Sequence, residues 1–137
     1  MIQKMEDCIF CKIIKGEIPA AKVYDDDKYL AFLSIAPINP GHTLVISKRH
    51  IGYFFDLEDQ EIGDIMVVSK NIAQVLKKAF NPQTGKIGIM VAGGEVPHTH
   101  VHLIPMDHET DLDFKRQKLD TPFTEIQSNA QKIKENL

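Results

Sequence analysis

Three of the chain's six histidines fall within five residues, His98-Thr99-His100-Val101-His102, and Leu103-Ile104 follow. Near neutral pH an imidazole can serve as a nucleophile, a proton donor or acceptor, or a metal ligand. In an extended strand, residues two apart share a face. Positions 98, 100 and 102 then stand in a row while Val101 and Leu103 face the other way. On a helix the same three would diverge. A hydrocarbon core has little use for such a row, because each ring brings two nitrogens that need partners. Two other readings stay open: a solvated strand face with alternating polar residues, and a metal site made of all three histidines. The second needs further ligands from elsewhere, since one strand offers its ligands in a line.

A second constellation lies near the N-terminus, where Cys8 and Cys11 are three apart. In a reducing compartment this spacing points to metal binding or redox chemistry before a structural disulfide. Two buried cysteines without metal are the plain alternative. A nucleic-acid zinc finger does not fit, because the gap from cysteine to histidine is far too long.

The whole chain bounds these possibilities. With 137 residues it is long enough for one domain with a real core. Its 16 basic and 19 acidic residues give a net charge of -3, so no basic footprint for nucleic acid is expected. No apolar run approaches the roughly 20 residues that span a bilayer, so no membrane partner is expected. The opening residues Met1-Ile2-Gln3-Lys4-Met5-Glu6-Asp7 lack an apolar signal core, which suggests a cytoplasmic protein.

The elements that must position the histidines can be read from periodicity. Segment 8–15 suits a short helix closed by Gly16 and Pro19, and 22–25 and 29–33 read as strands around the turn Asp25-Asp26-Asp27. Segment 42–47 is β-branched and reads as a third strand. The clearest helix covers about 57–80, where Ile62, Ile65, Met66, Ser69, Ile72, Ala73, Leu76 and Phe80 fall on one face. Asp56 is placed to cap it, and Asn81-Pro82 stops it. Segments 86–91 and 99–106 read as two more strands, joined through Ala92-Gly93-Gly94-Glu95. The tail 107–120 is polar, and Thr121-Pro122 can start a last helix to about 135. The order predicts an α+β fold: an antiparallel sheet of about five strands, one long helix packed on it, and short additional helices. No G-x-G-x-x-G is present to support a parallel dinucleotide fold.

The histidine cluster resembles the signature of the histidine triad (HIT) family, with Thr99 in the first apolar place. The resemblance extends to Cys8-Ile-Phe-Cys-Lys-Ile-Ile-Lys-Gly-Glu-Ile-Pro19, to Ala31-Phe32 and to Gly41-His42-Thr43-Leu44-Val45-Ile46. It is strongest toward the nucleotide-binding branch, in the bacterial type that carries a zinc site. It implies a HIT domain over 8–107 and a C-terminal extension over 108–137, ending in a helix. It implies a purine nucleotide substrate, a phosphoramidate or dinucleoside polyphosphate, cleaved through a nucleotidyl adduct on His100. The backbone of His98 would orient His100, His102 would donate to a phosphate oxygen, and His42 would be the site's fourth histidine. A strand-start histidine facing solvent is the plain alternative for His42. Ile9, Phe10, Ile18, Phe32 and Ile35 would line the nucleoside slot, although each also suits a core. Ser34 stands where the family often has an aspartate that grips the ribose, and Glu95 stands where a phosphate-binding hydroxyl usually stands. These two departures support an alternative, a nucleotide-binding or zinc-stabilised interaction protein with little catalysis. The resemblance further implies a structural zinc held by Cys8, Cys11, His50 and His98. A homodimer is expected too, because 86–91 and the helix 57–80 carry more apolar surface than one sheet face needs. The competing account has the tail helix cover that surface.

Overall fold

The apolar segments Lys22–Asp25 (β1), Tyr29–Leu33 (β2), Thr43–Ser47 (β3), Lys86–Met90 (β4) and His100–Met106 (β5) form one sheet in the order β1-β2-β3-β5-β4. Every neighbouring pair is antiparallel. The computed structural model describes residues 4–137; residues 1–3, the start of the stretch read above for a signal core, lie outside it. Three helices complete the α+β architecture: α1 (Ile9–Ile14), α2 (Asp59–Phe80) and α3 (Phe123–Lys134).

The pleat divides the sheet's residues between two cores. Tyr29, Ala31, Leu33, Val45, Val101 and Leu103 face α2 and α3, where Ile65, Ile72, Leu76, Ile126, Ala130 and Ile133 close the larger core. Ile65, Ile72 and Leu76 are at most 1% exposed, and each contributes about 1.5–3 kcal/mol by leaving water. Leu30, Phe32, Leu44 and Ile46 face the opposite side, where Phe10, Cys11 and Ile13 of α1 cover them. β2 and β3 are therefore buried at every residue, which is why they read as continuous rather than alternating apolar runs.

Two expectations about α2 need correction. Asp56 does not cap it. Asp56 closes a separate 3-10 turn, Phe54–Asp56, and the cap falls to Glu58. The Glu61 carboxylate reaches back to the Glu58 backbone N–H at 3.0 Å, a reciprocal arrangement that Asp56 is too far upstream to make. The buried stripe runs through Ile65, Ser69, Ile72, Val75 and Leu76, whereas Met66 is turned to solvent. The stripe is displaced because α2 packs on the sheet and also against α3. At the other end Asn81 adopts a left-handed conformation, φ 43°, and Pro82 prevents continuation.

α3 packs on β1, β2 and α2. It does not cover the outer side of α2 or β4, where Val67, Ile89 and Val91 remain exposed, so the competing account of the tail fails.

Register and one glycine position the histidines. His100 pairs with Ile46 and His102 with Leu44, so both rings stand on the α1 side of the sheet. A one-residue slip would turn them into the α2 core. Gly41, at φ 90°, turns the chain into β3 just before His42, under the end of α2. A Cβ there would lie 2.7 Å from the Phe80 ring.

Candidate active site

His100 is the ring best placed to act as a nucleophile. It is 6% exposed, and the Phe10 ring meets it edge-on at 5.1 Å. Its Nδ1–H donates to the His98 carbonyl at 2.7 Å. That bond assigns the proton to Nδ1 and leaves the Nε2 lone pair free. His98 itself is not on the strand. It lies in a bend ahead of β5, fully buried, and its Nε2–H donates to the Ser47 carbonyl at 2.6 Å. The expected row of three is thus a pair, His100 and His102, with His98 turned toward the cysteines.

The other tautomers follow in sequence. The Ile38 backbone N–H donates to His42 Nδ1 at 3.0 Å, so His42 carries its proton on Nε2. That Nε2 lies 3.0 Å from His102 Nδ1 and donates to it. His102 therefore carries its proton on Nε2, as a donor for a ligand. His42 is 3% exposed, which excludes the solvent-facing alternative.

Burial holds all these rings neutral. It pushes His42 down to about 3, with help from the neighbouring His102 and the Lys118 ammonium. It pushes His102 down to about 4, again aided by His100 and Lys118. His98 falls to about 4 by burial, against the opposing effect of its bond to Ser47. His100 is lowered by burial, opposed by the His98 carbonyl and the Glu95 carboxylate. Neutral imidazole is the nucleophilic form, and here it is fixed in one orientation.

The N-terminal cysteines meet His50 and His98. One ligand atom from each of Cys8, Cys11, His50 and His98 lies within 4.8 Å of all the others. Cys8 Sγ is 3.3 Å from His98 Nδ1, Cys11 Sγ is 3.3 Å from His50 Nδ1 and 3.6 Å from His98 Nδ1, and the two Nδ1 atoms are 3.1 Å apart. Sulfur and nitrogen ligands arranged tetrahedrally around one zinc lie roughly 3.3–3.8 Å from each other; these separations match or fall a few tenths of an ångström short, so the donor set and its clustering fit that ion. The bond from His98 Nε2 to Ser47 leaves His98 Nδ1 as a lone pair, as a ligand requires. Burial and then Cys8 push the Cys11 thiol up to about 11, so a thiolate here calls for a cation.

The remaining sequence candidates divide. Phe10 and Phe32 meet edge-on at 5.7 Å, both buried, with Ile18 partly buried against the same core. Ile9 and Ile35 are exposed, Ile35 at 69%. Ser34 is half-buried, its Oγ accepting the Ala36 N–H at 3.2 Å. Glu95 is exposed on the loop before His98. Sequence reading missed the Ser47 carbonyl and the Ile38 amide, because backbone groups leave no residue signature. It also missed Phe114, whose ring lies 4.8 Å from His102, and Lys118, because both sit in an aperiodic polar tail.

Residues 15–109 match the family model described as the HIT domain. A protein of Borreliella burgdorferi described as an uncharacterized HIT-like protein is 40% identical over 139 residues, covering 97% of this chain and all of the relative. An adenosine 5′-monophosphoramidase of Candida albicans is 37% identical over 138 residues, covering 95% of this chain and 91% of the relative. Among solved structures, a zinc-bound histidine triad family protein from Mycobacterium smegmatis is similar at 25% identity and a TM-score of 0.78, covering 97% of this chain and 94% of that one.

The buried neutral His42 ties stability to pH. Unfolded, it takes up a proton near 6.5; folded, it resists until about 3. Between those values the unfolded state binds more protons, so this contribution is complete above about pH 6.5 and is lost as pH falls toward 3. Denaturant titrations at pH 7 and 5 should show His42→Asn losing less stability on acidification than the wild type, by up to about 2 kcal/mol. Equal losses in the two proteins would remove His42 as a source of the acid sensitivity.

Proposed function

This chain belongs to the HIT domain family, and we propose that within it the protein is a nucleotide hydrolase or transferase that forms a nucleotidyl adduct on His100. The observation that carries this reading is the 2.7 Å bond from His100 Nδ1–H to the His98 carbonyl, which aims a free lone pair from a buried ring. His100 Nε2 attacks the α-phosphorus of a purine nucleotide, forming a P–N bond. The bond to the leaving group breaks and that group departs with the electron pair, an amine taking up a proton from water as it leaves. His102 Nε2–H stabilises the charge that builds on the phosphoryl oxygens, in a site whose donors are already oriented. Water then attacks phosphorus and gives up a proton to solvent, the P–N bond breaks with its electron pair returning to Nε2, and neutral His100 is regenerated with the nucleoside monophosphate released. The Candida albicans relative supports a phosphoramidate as the substrate class. Ile9, Phe10, Ile18, Phe32 and Ile35 would line the nucleoside slot, and the Ser34 hydroxyl would make a single bond to the ribose. Glu95 supports the second reading, a binding protein with little catalysis, since its carboxylate stands near enough to His100 to affect it.

Zinc is the proposed ion for Cys8, Cys11, His50 and His98, supported by their donor types and spacing. It would polarise no substrate there. Its role would be structural: held by these four residues, it would pin α1 to the segment that orients His100. A homodimer is proposed through β4 and the outer side of α2, supported by the exposed Val67, Ile89 and Val91. The protein acts in the cytoplasm in this reading, and among the described residues no helix is long and apolar enough to cross a membrane.

Three sets of measurements test these readings. Incubation with adenosine 5′-phosphoramidate, followed by acid-free mass spectrometry, should reveal an adenylyl adduct that His100→Ala lacks. That variant should lose at least about 1,000-fold in rate, which is about 4 kcal/mol of barrier, while still binding AMP. Substantial turnover by His100→Ala would exclude the covalent route. Elemental analysis of protein never exposed to chelator should give about one zinc per chain, and Cys8→Ser should melt several degrees lower. A metal-free protein with an unshifted melt for that variant would leave packing as the only role of the cysteines. Light scattering at low micromolar concentration should give twice the chain mass; the chain mass at every concentration would rule out the dimer.

A further inference from the structure

The triad face does not end at the strand. After β5 the chain makes a 3-10 turn at Glu109–Asp111 and then passes His102 before α3 begins. Leu112 lies against Gly88, closely enough that a Cβ on Gly88 would be 2.6 Å from its side chain. Gly88 pairs with Ile104, two residues beyond His102 on the same face. The Phe114 ring meets His102 at 4.8 Å with an interplanar angle of 60°. The Leu119 N–H donates to the Pro37 carbonyl at 2.8 Å, in the loop that leads to His42.

A buried carboxylate holds this segment in place. Asp111 is 3% exposed, and its Oδ2 accepts from Asn39 Nδ2 at 2.8 Å and from the backbone N–H groups of Asp107 and His108 at 2.9 and 3.0 Å. Its other oxygen pairs with Arg116. Asn39 also donates to the Pro105 carbonyl at 2.8 Å, so one network joins the end of β5, the loop before β3 and this segment.

Lys118, on the same segment, takes no part in this network. Its Nζ donates to the carbonyls of Phe114 at 2.6 Å and Arg116 at 2.9 Å, and among the described residues it pairs with no carboxylate. An ammonium has three donors, so one remains. The site needs such a charge. Its imidazoles are neutral, and the nearby Glu95 is negative, so the triad alone has no net positive charge with which to hold an anion. Both His42 and His102 register the Lys118 ammonium.

We propose that residues 112–121 are a strap that completes the triad site, and that Lys118 on it binds the anionic phosphoryl end of a nucleotide beside His102. This rests on the nucleotide reading of the site given above. Phe114 and Leu119 fix the strap, and Lys118 supplies charge that the loop carrying Glu95 does not.

Titration calorimetry on the full chain with adenosine, AMP and ADP tests it, using wild type, Lys118→Gln and Lys118→Arg. Lys118→Gln should leave adenosine affinity within about two-fold but weaken AMP and ADP about ten-fold or more, the size of a lost charged hydrogen bond. Lys118→Arg should restore most of that loss. An equal change for all three ligands, or no change for any, overturns the proposal. Failure of the wild type to bind any of the three overturns both this proposal and the reading beneath it. The expected binding pattern without adduct formation strikes the catalytic reading alone and leaves the strap standing.

Discussion

The site depends on a simple constraint: a neutral imidazole carries one proton, and the partner that holds one nitrogen decides which of the two carries it. Here backbone groups make that decision. The Ser47 carbonyl sets His98, the His98 carbonyl sets His100, and the Ile38 amide sets His42, which in turn sets His102. A side-chain partner could rotate away, but these carbonyls and this amide are held by the sheet and its loops. The result is a set of neutral rings with known donors and known lone pairs, the state that nucleophilic chemistry needs.

His98 joins the two halves of the molecule. Its Nδ1 belongs to the cluster with Cys8, Cys11 and His50, its Nε2 is tied to β3, and its carbonyl orients His100. Through this one residue α1 is joined to the His100 ring. The Phe10 ring, on the same helix turn as the cysteines, packs edge-on to both His98 and His100 and leaves little space for either to tilt.

The two faces of the sheet have different tasks. The face toward α2 and α3 holds the larger apolar core and carries stability. The opposite face is divided between the smaller core under α1 and the row of histidines. The strap then closes the end of that row which α1 does not reach, anchored through Asp111 rather than through apolar burial. A buried carboxylate with four partners gives a defined position to a segment that has little hydrophobic surface of its own.

By itself the sequence determined the strands, the long helix and the sidedness of His100 and His102, because period-2 and period-3.6 patterns are local and survive without tertiary information. It also determined the four residues of the cysteine–histidine cluster, through spacing matched to a family pattern. It did not determine that His98 leaves the strand, that Glu58 rather than Asp56 caps α2, or that Met66 points outward. Those outcomes depend on turn geometry and on where α3 packs. Only the tertiary structure decided the tautomers and the strap. Tautomers are set by main-chain atoms that every residue carries, so no residue type announces them. The strap's placement rests on Asn39 and Asp111, 72 positions apart, meeting in a buried bond that no periodicity in a polar tail could foretell.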